Sequence, residues 1–121
     1  MRTLIVMIII TFLWLTGFAS NPSNLDSLTA SLNNSEPDTK RIKTLLNISY
    51  QYEKSNSDSS VIYYHKALEL SQKLDLKKFI SNSHEGLGHV HMNIGKYEES
   101  LQSFDKLLKL KESSLNSEGE P

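Results

Sequence analysis

The sequence predicts an all-α fold built from consecutive helix–turn–helix pairs. Apolar residues recur at three- and four-residue intervals between residues 25 and 113, the spacing of one face of an α-helix. The prolines, Pro22, Pro37 and Pro121, all lie outside these periodic segments, so long helices are uninterrupted. No stretch alternates polar and apolar residues between turn signals, so we expect no strand.

Residues 1–19 are expected to lie outside this fold, as a secretory signal peptide. Arg2 supplies a short positive region, residues 4–15 are apolar except for Thr11, and small residues precede a cut after Ala19. The apolar run is shorter than the ~20 residues that a membrane-spanning helix needs. The expected location is therefore periplasmic or secreted. The alternative is an uncleaved signal anchor, which would tether the chain to a membrane by its N-terminus.

The first three helices follow from apolar spacing and polar breaks. Leucines at helical spacing predict a short helix over residues 25–32, followed by a linker, so that residues 20–38 form one segment. A second helix is expected over residues 40–54, and the polar run SNSD separates it from a third over residues 59–74. The inward residues of these two helices are Ile42, Leu45, Ile48, Ser49, Tyr52, Val61, Tyr64, Ala67 and Leu68.

Two more helices complete the predicted fold. The fourth covers residues 78–93 and is expected to end at Gly95 in the left-handed conformation. The fifth covers residues 97–113, and the polar residues 114–121 are expected to be a disordered tail. The inward residues of this pair are Ile80, His84, Leu87, Gly88, His91, Leu101, Phe104, Leu107 and Leu108.

The helices repeat in pairs about 40 residues apart. Tyr64 aligns with Phe104 at an offset of 40 residues, and Ile48 aligns with Leu87 at an offset of 39. Each unit, residues 39–76 and residues 77–113, is therefore a helix, a turn and a second helix.

The second unit resembles the tetratricopeptide repeat (TPR). Its matching residues, at the spacing of that motif, are Leu87, Gly88, His91, Gly95, Ser100, Phe104 and Leu107. His91, Ser100 and Leu107 stand where the motif has Tyr, Ala and Ala. The first unit matches less completely, through Ile48, Ser49, Tyr52, Ser60, Tyr64 and Ala67. The repeat period of about 40 residues resembles the extended type of TPR, whose helices are longer than usual. The resemblance implies a short α-solenoid of two TPR units plus the short N-terminal helix, in which these residues pack the repeats together.

The same resemblance implies a non-catalytic scaffold that needs no cofactor. In proteins of this kind, the first helices of the units line a groove that takes an extended peptide or a partner helix. Carried over by position, the groove residues are Lys43, Tyr50, Glu53, Asn82, Glu85, His89 and Met92. An alternative is a truncated or split sensor region of a histidine kinase or transcriptional regulator. A further partner, or a second copy of the chain, is expected on Leu101, Leu108 and Leu115, which nothing in the sequence covers.

Other kinds of site are disfavoured by charge, composition and spacing. The formal charge of −1 argues against a nucleic-acid-binding protein, which normally carries a basic surface. The absence of cysteine excludes thiolate chemistry. We expect no metal site at the histidines His84, His89 and His91. The side chains of His89 and His91, two residues apart on a helix, point in nearly opposite directions. His84 and His91 are about 10.5 Å apart along the helix axis, too far to share one metal ion. The run Gly86-x-Gly88 lacks the preceding strand and the Lys-Ser/Thr of a phosphate loop.

Overall fold

The computed structural model describes residues 24–32 and 38–118, and this part of the chain contains five α-helices and no strand. The signal peptide and the last residues of the predicted tail lie outside the described residues. The helices are α1 (Asn24–Leu32), α2 (Asp38–Tyr52), α3 (Ser57–Lys73), α4 (Lys77–Asn93) and α5 (Tyr97–Glu118). The predicted all-α class and the five helices are confirmed, with starts that differ by at most two residues.

The helices stack in chain order as a short solenoid. Each helix packs against the next one along the chain, and α2 also contacts α4. The first helices of the two units, α2 and α4, therefore lie side by side in one layer, with α3 and α5 packed on them. Helix α1 packs on α2, where it covers the start of the array.

The core is centred on α4, the first helix of the second unit, which packs against helices of both units. Its buried cluster joins residues of α3 to residues of α4 and consists of Tyr64, Leu68, Ile80, Leu87 and Val90. A second buried set on α2 consists of Ile42, Leu45, Ile48 and Ser49. Because α4 packs against α2, α3 and α5, substitutions on its inner face affect both units together.

Helix α5 is longer than its sequence suggested. The expectation of disorder from residue 114 is wrong for the described part of that segment, because the helix continues to Glu118. No glycine or proline interrupts it before Gly119. The hydroxyls of Ser113, Ser114 and Ser117 each donate to a backbone carbonyl three residues earlier, at 2.8 Å. The polar composition of this segment predicts that it is exposed to solvent. It does not predict disorder, because an exposed polar segment can still extend a helix.

Two helix ends share the same turn geometry with different residues. Gly95 has a φ of +78°, as predicted, and the next amide, of Lys96, donates to the carbonyl of His91 at 2.8 Å. Asp75 takes the equivalent place after α3 with a φ of +51°, and the amide of Leu76 donates to the carbonyl of Ser71 at 2.9 Å. Asp75 therefore adopts a left-handed conformation that glycine reaches without steric cost.

Replacing Asp75 with glycine is expected to raise the free energy of unfolding by about 0.5–1 kcal/mol, because relief of the left-handed strain outweighs the greater freedom of glycine in the unfolded chain. The matched opposite change, Gly95→Ala, is expected to lower it by about 1 kcal/mol, although the space around Gly95 is open. Urea denaturation of both variants measures the pair. An Asp75→Gly variant less stable than the parent would contradict the argument.

Candidate partner-binding face

Two glycines allow α4 to pack between the aromatic rings of both units. A Cβ atom on Gly88 would lie 2.7 Å from ring carbons of Phe104 in the same unit. A Cβ atom on Gly86 would lie 2.2 Å from ring carbons of Tyr64 in the preceding unit. Both glycines are buried within α4, far from any strand or loop, so the structure contains no phosphate loop here. The sequence marked Gly88 as a packing residue and missed Gly86, whose ring partner belongs to the other unit.

Serines fix the second helix of each unit to the first. The hydroxyl of Ser60 donates to the backbone carbonyl of Ser49 at 2.8 Å, and that of Ser100 donates to the carbonyl of Gly88 at 2.8 Å. All four residues are buried. The two hydrogen bonds occupy equivalent positions in the two units. Small size was the role expected of these serines, and the structure adds a directional bond between helices.

Tyr64 faces the second unit with its ring, at Gly86, and bonds within its own unit through its hydroxyl. The ring is buried, and the hydroxyl donates to a carboxylate oxygen of Glu53 at 2.6 Å. Burial, followed by the hydrogen bond to Glu53, raises the pKa of Tyr64 far above its ordinary value. The hydroxyl therefore stays protonated and remains a donor at any physiological pH. Tyr50 and Glu85 add to the same electrostatic environment.

The seven groove residues carried over by position lie on the two side-by-side helices or just after them. We call this set the partner face: Lys43, Tyr50, Glu53, Asn82, Glu85, His89 and Met92. Six of them are exposed, and Glu53 is partly buried because Tyr64 contacts it. Glu53 contacts the Tyr64 hydroxyl, and Tyr50 and Glu85 act on it electrostatically, which gives this part of the face an acidic and aromatic character.

The other end of the partner face is mostly uncharged. The ring of His89 meets the ring of Phe104 edge-on, with centroids 5.3 Å apart. One turn further along α4, Met92 is 45% exposed. Aromatic and methionine side chains are enriched at protein interfaces, and both offer large contact areas.

Two other histidines of α4 are buried in the repeat packing and do not form a site. His84 and His91 are 5% and 8% exposed, and Nδ1 of His91 has no hydrogen-bond partner. Burial lowers the pKa of both imidazoles. Lys106 and His65 lower it further at His84. At His91, Glu99 opposes the shift, and burial together with Lys96 and His65 outweighs it. Among residues 24–32 and 38–118, no group of three or more potential ligands is placed to hold a metal ion.

Acid is therefore expected to destabilise the fold between about pH 6.5 and pH 5. Above this range both histidines are neutral in the folded and unfolded chains, and the pH has no effect through them. As the pH falls, the unfolded chain takes up protons that the folded chain resists, so the free energy of unfolding falls by up to about 1.4 kcal/mol per pH unit for each histidine. Urea denaturation at pH 7.5, 6.5 and 5.5 measures the slope.

Variants assign this slope to the buried pair. His84→Gln and His91→Asn should each flatten it, whereas His89→Asn, which removes an exposed histidine from the same helix, should leave it as in the parent. Equal stability of the parent at pH 7.5 and pH 5.5 would show that the burial of these imidazoles carries no electrostatic cost.

The described residues also form a groove that includes no residue of the partner face. A groove of about 590 Å³ lies between α1, α2 and α3, at the other end of the first unit. The sequence marked Leu45 as an inward residue but assigned none of the lining residues to a site, because the groove depends on how α1 packs against α2. No periodicity encodes that arrangement. No helix in the described part of the chain is long and apolar enough to cross a membrane.

Comparison with known proteins gives one match. The family model described as the SusR N-terminal TPR domain matches residues 20–119. No curated protein and no solved structure matches the chain. The matched range includes all five helices and both of the units recognised from the sequence.

Proposed function

The chain belongs to the SusR N-terminal TPR domain family, and on that premise we propose that it is a non-catalytic scaffold that binds a peptide or helix on its partner face. TPR domains mediate interactions between proteins. The observation that carries the proposal is the arrangement around the Tyr64 hydroxyl, where α2 and α4 present exposed aromatic and acidic side chains side by side.

The charges of the partner face indicate which kind of segment it accepts. Glu53 bonds the Tyr64 hydroxyl and Glu85 acts on it electrostatically, while Lys43 lies almost three helical turns before Glu53. We expect a partner segment with a lysine or arginine near the two carboxylates and apolar side chains over Tyr50 and Met92. Because two units offer only a short surface with mixed charge, binding is expected to be weak and sensitive to salt.

Site-specific cross-linking tests this proposal. A photoreactive p-benzoyl-phenylalanine is placed at Tyr50, at Met92 and, as a control, at Ile62, which is 53% exposed on α3. The first two positions should give the same discrete cross-linked product in the host, and Ile62 should not. Glu85→Lys should reduce the product formed from Tyr50, because it reverses a charge of the face without touching the probe. Equal products from all three positions would contradict the proposal.

A second candidate function is a sensor region of a signalling protein. It is supported by the family description, which places this domain at the N-terminus of SusR. Transcript profiling after removal of the chain separates the two functions. A sensor should change a confined set of transcripts, and Tyr50→Ala should reproduce the change. A scaffold should leave transcripts unaltered while the cross-linked product is lost.

We further propose that α5 mediates self-association. Leu101, Leu108 and Leu115, the leucine row, are 69%, 55% and 68% exposed, so the inward packing predicted for Leu101 and Leu108 is wrong. No further helix of the described chain packs on this side of α5. Their seven-residue spacing keeps them along one side of the helix, as in a coiled-coil seam. Light scattering should detect a dimer or higher oligomer, and Leu108→Ser should convert it to a monomer with unchanged helix content. A parent chain that is monomeric at high concentration would contradict this proposal.

The cell envelope is the proposed location. The support is the pattern of residues 1–19 together with the family match, which starts at residue 20, directly after the expected cut. N-terminal sequencing of the protein recovered from its host distinguishes the two forms. A chain that begins at Ser20 is an exported, processed protein, whereas one that keeps Met1 and sediments with membranes is anchored.

A further inference from the structure

The groove between α1, α2 and α3 combines an apolar floor with a charged rim. Leu45, which is buried, and Leu70 contribute to the floor, and Tyr63 forms part of one wall. The ring of Tyr63 is held by stacking on Tyr52, with centroids 5.8 Å apart. The volume of about 590 Å³ falls within the roughly 300–1,000 Å³ of typical small-molecule sites.

The rim carries three cations and one carboxylate. Arg41 projects from α2, and Lys66 and Lys73 project from α3 about 10.5 Å apart along the helix axis. The ammonium of Lys66 lies 5.0 Å from the centroid of the Tyr63 ring, which positions it at the wall of the groove. None of the three cations has an ion-pair partner in residues 24–32 and 38–118, although Glu69 lies on the same rim.

We propose that this groove is a second binding site, distinct from the partner face, for a small amphiphilic organic anion. The acidic head of the anion pairs with Arg41 and Lys66. Its apolar body lies on Leu45 and Leu70. Unpaired cations beside apolar surface offer an anion charge-assisted hydrogen bonds and its hydrocarbon part a dry contact. The excess of positive charge excludes a cationic head.

The limited length of the groove favours a small molecule over a protein segment. An extended peptide needs a surface that continues beyond the few turns that line this groove, and its affinity comes from an area larger than the groove provides. A body of about eight carbon atoms fits within the volume with its head at the rim. Carboxylate, sulfonate and phosphate heads share the required chemistry.

The test is a titration of the ¹⁵N-labelled full chain with three probes of the same length, followed by amide chemical shifts. Octanoate should produce saturable shifts at Arg41, Lys66 and Leu70, weakening as salt is raised. Octanol, with the same body and no charge, should bind roughly tenfold or more weakly, and octylammonium should leave these amides unshifted. Lys43 of the partner face is two residues from Arg41, but α3 carries no partner-face residue. Shifts at Lys66 and Leu70 therefore report on the groove independently of the proposed scaffold function.

Variants with matched charge changes complete the test. Lys66→Glu should weaken octanoate binding by roughly tenfold or more, while Lys111→Glu, the same change on exposed α5, should not. Circular dichroism checks that the helix content of each variant is unchanged. The proposal is overturned if octanoate shifts no groove amide, if octanol binds equally well, if the shifts lie on the leucine row instead, or if Lys111→Glu weakens binding as much as Lys66→Glu.

Discussion

Replacing Gly86 with alanine is expected to lower the free energy of unfolding by about 2–4 kcal/mol, a large fraction of the roughly 5–15 kcal/mol of a domain of this size. Two effects oppose each other. Alanine in the middle of a helix gains about 1 kcal/mol over glycine. The new methyl group, however, would lie 2.2 Å from ring carbons of Tyr64. That ring cannot move aside without loss of the 2.6 Å bond from its hydroxyl to Glu53.

Thermal and urea denaturation, followed by circular dichroism, measure the effect. The melting temperature is expected to fall by roughly 10–25 °C. Gln72→Ala, at an exposed position of α3, is the control and should change the stability by less than about 0.5 kcal/mol.

The decisive experiment is the same change in a chain that already carries Tyr64→Ala. Without the ring, Gly86→Ala should become neutral or stabilising, because only the helix-propensity gain remains. A single Gly86→Ala variant as stable as the parent would show that Tyr64 can rearrange freely. Equal destabilisation with and without the ring would show that the contact does not explain the cost.

The second large effect is expected from shortening Leu87. It is 2% exposed at the centre of α4, and Leu87→Ala should cost about 2–5 kcal/mol through lost burial and the cavity that remains. Ile48 holds the equivalent place on α2 and is fully buried, so Ile48→Ala should have a cost in the same range. Ile62→Ala, at a position 53% exposed, should change stability by less than about 0.5 kcal/mol.

Urea denaturation at a fixed temperature measures all three variants. Because α4 packs against helices of both units, the Leu87→Ala chain should lose the two units together, in one transition. A variant in which half of the helical signal is retained after the other half melts would show that the units are stabilised separately.

The sequence carried most of the fold because the repeat pattern is local. Periodic apolar residues located all five helices, and Gly95 marked a turn whose backbone requires a positive φ. Features that depend on contacts between units were missed. Gly86 must be small because it faces the ring of Tyr64, 22 residues earlier in the chain. Asp75 adopts a left-handed conformation that the residue type alone does not predict.

The candidate sites divide in the same way. The partner face could be listed from the sequence because its residues recur at fixed places in a known repeat. The hydrogen bond from Tyr64 to Glu53 could not be predicted, since it joins a helix residue to a turn residue 11 positions earlier. The cationic groove depends on three helices, and its Arg41 and Lys66 appear in the sequence as ordinary solvated charges.

The paired serine bonds have a consequence for how the helices are aligned. Apolar side chains are largely interchangeable, so two helices held only by such contacts can slide past each other by one turn, about 5.4 Å, and still bury similar areas. A hydroxyl aimed at one carbonyl permits a single axial position. Ser60 and Ser100 each make such a bond at 2.8 Å. The serines therefore specify the longitudinal alignment of each helix pair. The aliphatic residues around them stabilise the packing but do not determine that alignment.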